Sequence, residues 1–154
     1  MMNVENKTVD IERFMTDTLR EYAFHDTNLH GVEVVENGVN LLFPEGIYRN
    51  DEHGKELFLT PRCEIRLQIR DFDPAKVWEH ISVQKRKRKK VLDLDFSDFL
   101  GLFKKNSLEI YMQYHSFFSQ GIMFRGWIGE TEIEWEITEI DSVSIRFFGV
   151  SAEE

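Results

Sequence analysis

The chain holds one cysteine, three prolines and no long apolar run, and each shortage closes off a class of protein. A single thiol, Cys63, leaves no intrachain disulfide and no C-x-x-C pair. No apolar stretch approaches the roughly 18–20 residues that a membrane-spanning helix needs, so no membrane partner is expected. The opening MMNVENKTVDIERF has neither a basic region nor an apolar one, and it does not read as a secretory signal. A lone thiol without an export signal points to a reducing, cytoplasmic setting. No His or Asp stands at a suggestive distance from Cys63, which therefore reads as a small buried hydrophobe rather than a nucleophile. Positive charge is also short: 19 Lys and Arg face 28 Asp and Glu, a formal net charge of −9. That balance opposes general nucleic-acid binding, which needs a basic footprint, and suits a basic protein partner. Phosphate-cradling glycine loops, the G-x-S-x-G elbow and H-E-x-x-H are all missing, so no cofactor is expected.

Large side chains are abundant. The 154 residues are 42% hydrophobic and include 13 Phe, 3 Trp and 4 Tyr, enough for one real core in one domain spanning 1–154. The ends, 1–8 and 151–154, read as flexible. Ile11, Phe14, Met15, Leu19 and Tyr22 form one stripe at helical spacing, which predicts an amphipathic helix over 9–23 with Thr8 or Asp10 as its cap.

The period then changes to two. Residues 32–43 read as a hairpin turning at Asn37-Gly38, which pairs Val34 with Leu41 and Val32 with Phe43. In 63–70, Cys63, Ile65, Leu67 and Ile69 alternate with polar residues, as in a half-buried antiparallel strand. Asp73-Pro74 opens a predicted second helix with Val77, Trp78 and Ile81 on its apolar side. The cations Lys85 to Lys90 follow as an exposed, frayed or looped block, after which Val91, Leu92 and Leu94 rejoin the core. A short third helix runs through Phe99, Leu100 and Phe103.

The last third is a meander. Leu108, Ile110, Met112 and Tyr114 share one face of its first strand, and Ile133, Trp135 and Ile137 point inward from its third. Val143, Ile145 and Phe147 do so from its fourth. Gly126 marks a bulge or a close approach. The fold class is α+β: a mainly antiparallel sheet, one large or two packed, with an N-terminal helix and two short middle helices on an outer face.

Four groups of residues bear on chemistry. His25, Asp26 and His30 place two imidazoles and a carboxylate within six residues, as a general base or metal site would require. Metal ligation usually needs further ligands, and a turn capped by Asp26 accounts for the segment more simply. Lys85, Arg86, Lys87 and Arg88, with Lys89 and Lys90, would contact phosphates or an acidic partner, but no aromatic interleaves them and a solvated charged segment is the simpler reading. Glu130, Glu132, Glu134 and Glu136 share one strand face. They are too regular for an acid–base pair, which needs two unlike environments. A solvated face partnered by Arg125 or Arg146 explains them, and a partner-docking face is the functional reading. Asp93 and Asp95 lie on one side of a strand and could hold a divalent cation, but the glycine and distal Glu of a calcium loop are missing, and helix capping by Asp95 or Ser97 is the better reading.

Phe24-His25-Asp26, Leu29, Gly31-Val32-Glu33-Val34 and Val39-Asn40-Leu41-Leu42-Phe43 together resemble the opening of small bacterial proteins, some of them classed as toxin-immunity proteins. The resemblance covers residues 24–43. It implies a protein that binds and neutralises a partner protein, and it carries no catalytic residues with it. The expected function is that of a small binding protein rather than an enzyme. The alternative is a small metal- or ligand-dependent enzyme using His25 and Asp26.

Overall fold

A computed structural model of the chain describes residues 4–149. The outermost residues of both expected tails, 1–3 and 150–154, lie outside the described residues. From Val4 onward the expected loose segment is a strand, β1 (Val4–Asp10), paired with the last strand of the chain.

The N-terminal helix forms where its stripe predicts it, over 11–21. Asp10 caps it by accepting the Arg13 amide at 2.8 Å. Its middle turn, Phe14–Thr18, is a π-turn, in which the Leu19 amide reaches back to the Phe14 carbonyl. The wider turn brings Thr18 inward beside Ile11, Phe14 and Met15. The chain then passes through β2 (Tyr22–Ala23), β3 (Thr27–Leu29), β4 (Gly31–Val35), β5 (Gly38–Phe43), β6 (Tyr48–Asn50), β7 (Glu56–Leu59) and β8 (Cys63–Ile69).

Asp73-Pro74 does not open a full helix. Asp73 accepts the Ala75 amide at 2.9 Å, and only the 3-10 turn Val77–Glu79 follows. The period-two pattern of Ile81 and Val83 takes over immediately as β9 (Ile81–Lys87), leaving no length for a helix. The basic block is likewise a structured hairpin rather than a frayed loop, for β9 runs through Arg88-Lys89 into β10 (Lys90–Asp93). Val91 and Leu92 do not rejoin the core, being 48% and 43% exposed. The one regular middle helix is Phe96–Leu102. The meander follows as β11 (Leu108–Ser116), β12 (Gly121–Ile128), β13 (Thr131–Ile137) and β14 (Ile140–Phe148).

These strands form neither one sheet nor two but three, all antiparallel among the described residues. Their orders are β1-β14-β8-β5-β4, β10-β9-β13-β12-β11-β3 and the small β2-β6-β7. His30 marks the change from the six-stranded to the five-stranded sheet, its amide bonding the Leu42 carbonyl at 2.9 Å. A continuous chain of rings ties helix and sheets into one core. Phe103 meets Phe99, Phe99 meets Trp135, Trp135 meets Phe124, Phe124 meets Phe24 and Phe24 meets Phe43, with centroids 5.1 to 5.7 Å apart. Phe99 thus places the Phe96–Leu102 helix on the core side of the six-stranded sheet, not on an outer face.

The β4–β5 hairpin turns one residue earlier than expected, at Glu36-Asn37, so Val34 faces Val39 and Val32 faces Leu41. The pairing slips by two residues, which preserves the side each residue faces. Val32, Val39, Leu41 and Phe43 are buried as predicted, while Val34, on the edge strand, is exposed.

Candidate functional site

The outer face of the six-stranded sheet brings together Arg86, Glu132, Glu134, Glu136 and Asp93 of the residues singled out above, in three rows set by strand register. Glu109 on β11 lies beside Trp127 on β12, Glu132 on β13, Arg86 on β9 and Val91 on β10. The next row runs Met112, Arg125, Glu134, Gln84, Asp93, and the third Tyr114, Met123, Glu136, Ser82.

The first strand departs from its expected alternation. A bulge at Tyr111, between the paired residues Ile110 and Met112, inserts one extra residue and inverts the phase of everything after it. Leu108 and Ile110 stay buried, whereas Met112 and Tyr114 turn to the outer face. Gly126 makes this geometry possible. A Cβ there would sit 2.2 Å from the Glu109 carbonyl oxygen, a close approach that only glycine permits.

The acidic row is not bare. Arg125 donates to Glu134 at 2.8 Å, and Arg86 approaches Glu134 at 3.4 Å and Glu132 at 3.8 Å. Arg86 and Glu134 form an ion pair without hydrogen-bond alignment, since the Arg86 Nε has no hydrogen-bond partner. Glu132 and Glu134 are only 19% and 15% exposed. Desolvation first, and then the Glu132 charge, pushes the Tyr111 hydroxyl above its ordinary range, against the opposing pull of the Arg125 charge. Burial works against the Arg125 charge, but the Glu134 hydrogen bond and charge outweigh it and hold the guanidinium more firmly protonated.

Two groups read separately in the sequence, the cation block and the glutamate row, thus meet through Arg86. Arg125 partners the row as expected. Arg146 does not, because it lies on β14 in the five-stranded sheet, opposite Glu64. Glu109 and Glu136 have no ion-pair partner among the described residues and keep their charge available. Trp127 is 43% exposed and Tyr114 similarly open. The arrangement holds no nucleophile beside a base. It presents aromatic, methionine and arginine side chains with excess carboxylate on one sheet face.

His25 and Asp26 are brought together, but His30 is turned elsewhere. Asp26 occupies a left-handed turn at φ 61° and lies 3.3 Å from His25 Nδ1. Glu56 of β7 lies 2.8 Å from His25 Nε2. His30 instead pairs with Glu45 through its Nε2. His25, Asp26 and Glu56 are close enough to be considered as metal ligands. The two carboxylates approach opposite ring nitrogens, so the imidazole bridges Asp26 and Glu56. The cluster pins the β6–β7 hairpin to the Phe24-His25-Asp26 turn. Cys63 is buried, and desolvation, with a lesser contribution from the Glu64 charge, pushes its thiol up to about 12.

Known proteins give this site no precedent: no family model, no curated protein and no solved structure matches the chain. No helix among the described residues is long and apolar enough to cross a membrane.

Tyr111, Tyr114, Met112 and Trp127 did not stand out as site residues in the sequence. A bulge has no compositional signature, and without it Met112 and Tyr114 read as core.

Proposed function

We propose that this chain is a non-enzymatic binding protein that docks a partner protein on the outer face of its six-stranded sheet. The observation that carries the reading is the uncovered face itself. Trp127, Tyr111, Tyr114, Met112 and Met123 surround Arg125 there, and Trp, Tyr, Met and Arg are the side chains enriched where interfaces concentrate their energy. Five carboxylates (Asp93, Glu109, Glu132, Glu134, Glu136) against two guanidinium groups (Arg86, Arg125) leave the face acidic, so the partner surface is basic. The same carboxylates would repel phosphate, which sets nucleic acid aside despite the aromatic platform. Together with the resemblance over 24–43, this favours an immunity-like role in the cytoplasm, in which the partner is bound and neutralised.

The test is a capture from the native lysate with the tagged chain, in parallel with the double variant Trp127→Ala/Tyr114→Ala. Both side chains are largely exposed, so the variant is expected to keep its far-UV spectrum. The expected result is a stoichiometric basic protein held by the native chain and released more than about tenfold faster by the variant. Equal retention by both chains would remove this face as the docking site.

A further inference from the structure

The β9–β10 hairpin carries a second surface of opposite charge. Alternation along β9 sends Arg86 to the outer face and its glutamate partners. Lys85, opposite the buried Ile133, points to the other side, and Lys87 and Lys90, paired with each other, lie on that side beyond the end of the core. Leu92, paired with Lys85, is there too, 43% exposed. Arg88, at φ 60°, and Lys89 make the turn. Lys87, Arg88, Lys89, Lys90 and Leu92 line one open depression.

Among the described residues none of Lys85, Lys87, Arg88, Lys89 and Lys90 has a carboxylate within ion-pair distance. Five uncompensated cations thus sit on one hairpin of a chain whose net charge is −9. β10 is also an edge strand: only β9 pairs with it, and its outer row of backbone groups is open.

We propose that this hairpin is a docking edge for an acidic protein segment in extended conformation, added as a further strand beside β10. The free edge supplies main-chain hydrogen bonds. Alternate side chains of the added strand fall on one face, so an aliphatic residue meets Leu92 while Asp or Glu residues meet Lys87 and Lys90. Charge complementarity identifies the occupant. A nucleic acid would find no ring to stack on here, and a long polyanion would be repelled by the remainder of the molecule. This inference is independent of the outer-face reading, since the two surfaces share neither side chains nor sign.

The probe is a fluorescein-labelled, N-acetylated peptide of repeating Glu-Thr-Val-Thr, whose Glu and Val residues alternate along one strand face, titrated into the whole chain. The comparisons are an all-Glu peptide, a short oligothymidylate and the variant Lys87→Glu/Lys90→Glu. The expected result is saturable anisotropy with the alternating peptide, weakened several-fold by added salt and by more than about tenfold in the variant. Amide exchange should slow over Lys90–Asp93. Failure of the peptide to bind, or undiminished binding by the variant, would overturn the proposal. Equal affinity for the all-Glu peptide or tighter binding of oligothymidylate would overturn strand addition in favour of a charge-only polyanion surface.

Discussion

Glycine and cysteine show most clearly what a single position contributes. Gly38 looks like the second residue of a type I′ turn, but its φ is not positive. It is required inside β5, where a Cβ would lie 1.9 Å from the Leu67 carbonyl oxygen of the neighbouring strand. Gly126 plays the same part between β12 and β11. Cys63 is governed by burial. Its thiol is held up to about 12 against an ordinary 9.0, so the native thiol stays protonated where an unfolded one ionises. Native chain at pH 8 is expected to resist a thiol reagent that labels the urea-unfolded chain at once; comparable rates would contradict the burial. The linkage has a definite sign. A raised folded value contributes stability that is complete below about pH 9 and is lost as pH climbs towards about 12, because the unfolded state releases its proton first. Cys63→Ala should therefore flatten the alkaline limb of a stability-versus-pH curve.

Elements are decided where local signals meet their neighbours. The N-terminal helix starts where Asp10 accepts the Arg13 amide, and Asp10→Ala should lower unfolding free energy by about 1 kcal/mol in urea titration followed by circular dichroism. No loss would mean that pairing of β1 with β14, rather than the cap, fixes the helix start. The Asp73-Pro74 signal is as good on paper. It yields one 3-10 turn because Ile81 must enter β9 opposite Ile137 four residues after Val77. The β9–β10 hairpin shows the reverse. Six consecutive cations form no favourable segment by themselves. β9 is nonetheless ordered by antiparallel pairing to β13, with Arg86 opposite Glu132 and Lys85 opposite Ile133.

Over the whole molecule, the ring chain from Phe103 to Phe43 joins the middle helix, the six-stranded sheet and the five-stranded sheet. Phe24 is its only link between the two large sheets, touching Phe43 on one side and Phe124 on the other. Phe24→Ala is expected to cost about 3–5 kcal/mol. Tryptophan fluorescence, which the buried Trp135 reports from the six-stranded sheet, should shift together with the far-UV signal. Two separated transitions would show that the sheets are independent units. Charge is also distributed at this scale. Excess carboxylate lies on the outer sheet face and uncompensated cations on one hairpin, so an acidic chain offers each sign on its own surface.

The amino-acid order alone determined much of this protein. The alternation in β8, β13 and β14 specified which residues enter the core, because a strand has only two sides. Asp10 and the stripe through Phe14 specified a helix, and the lone Cys63 a buried thiol. Only the tertiary structure decided how the strands divide among three sheets, since pairing partners distant in sequence leave no local trace. It also decided that a bulge at Tyr111 turns Met112 and Tyr114 outward, and that Arg86 of the cation block and Glu132 and Glu134 of the acidic row are partners. The physical reason is the same in each case: a strand's period is set by its own backbone, while its neighbours, phase shifts and ion pairs are set by what the rest of the chain lays beside it.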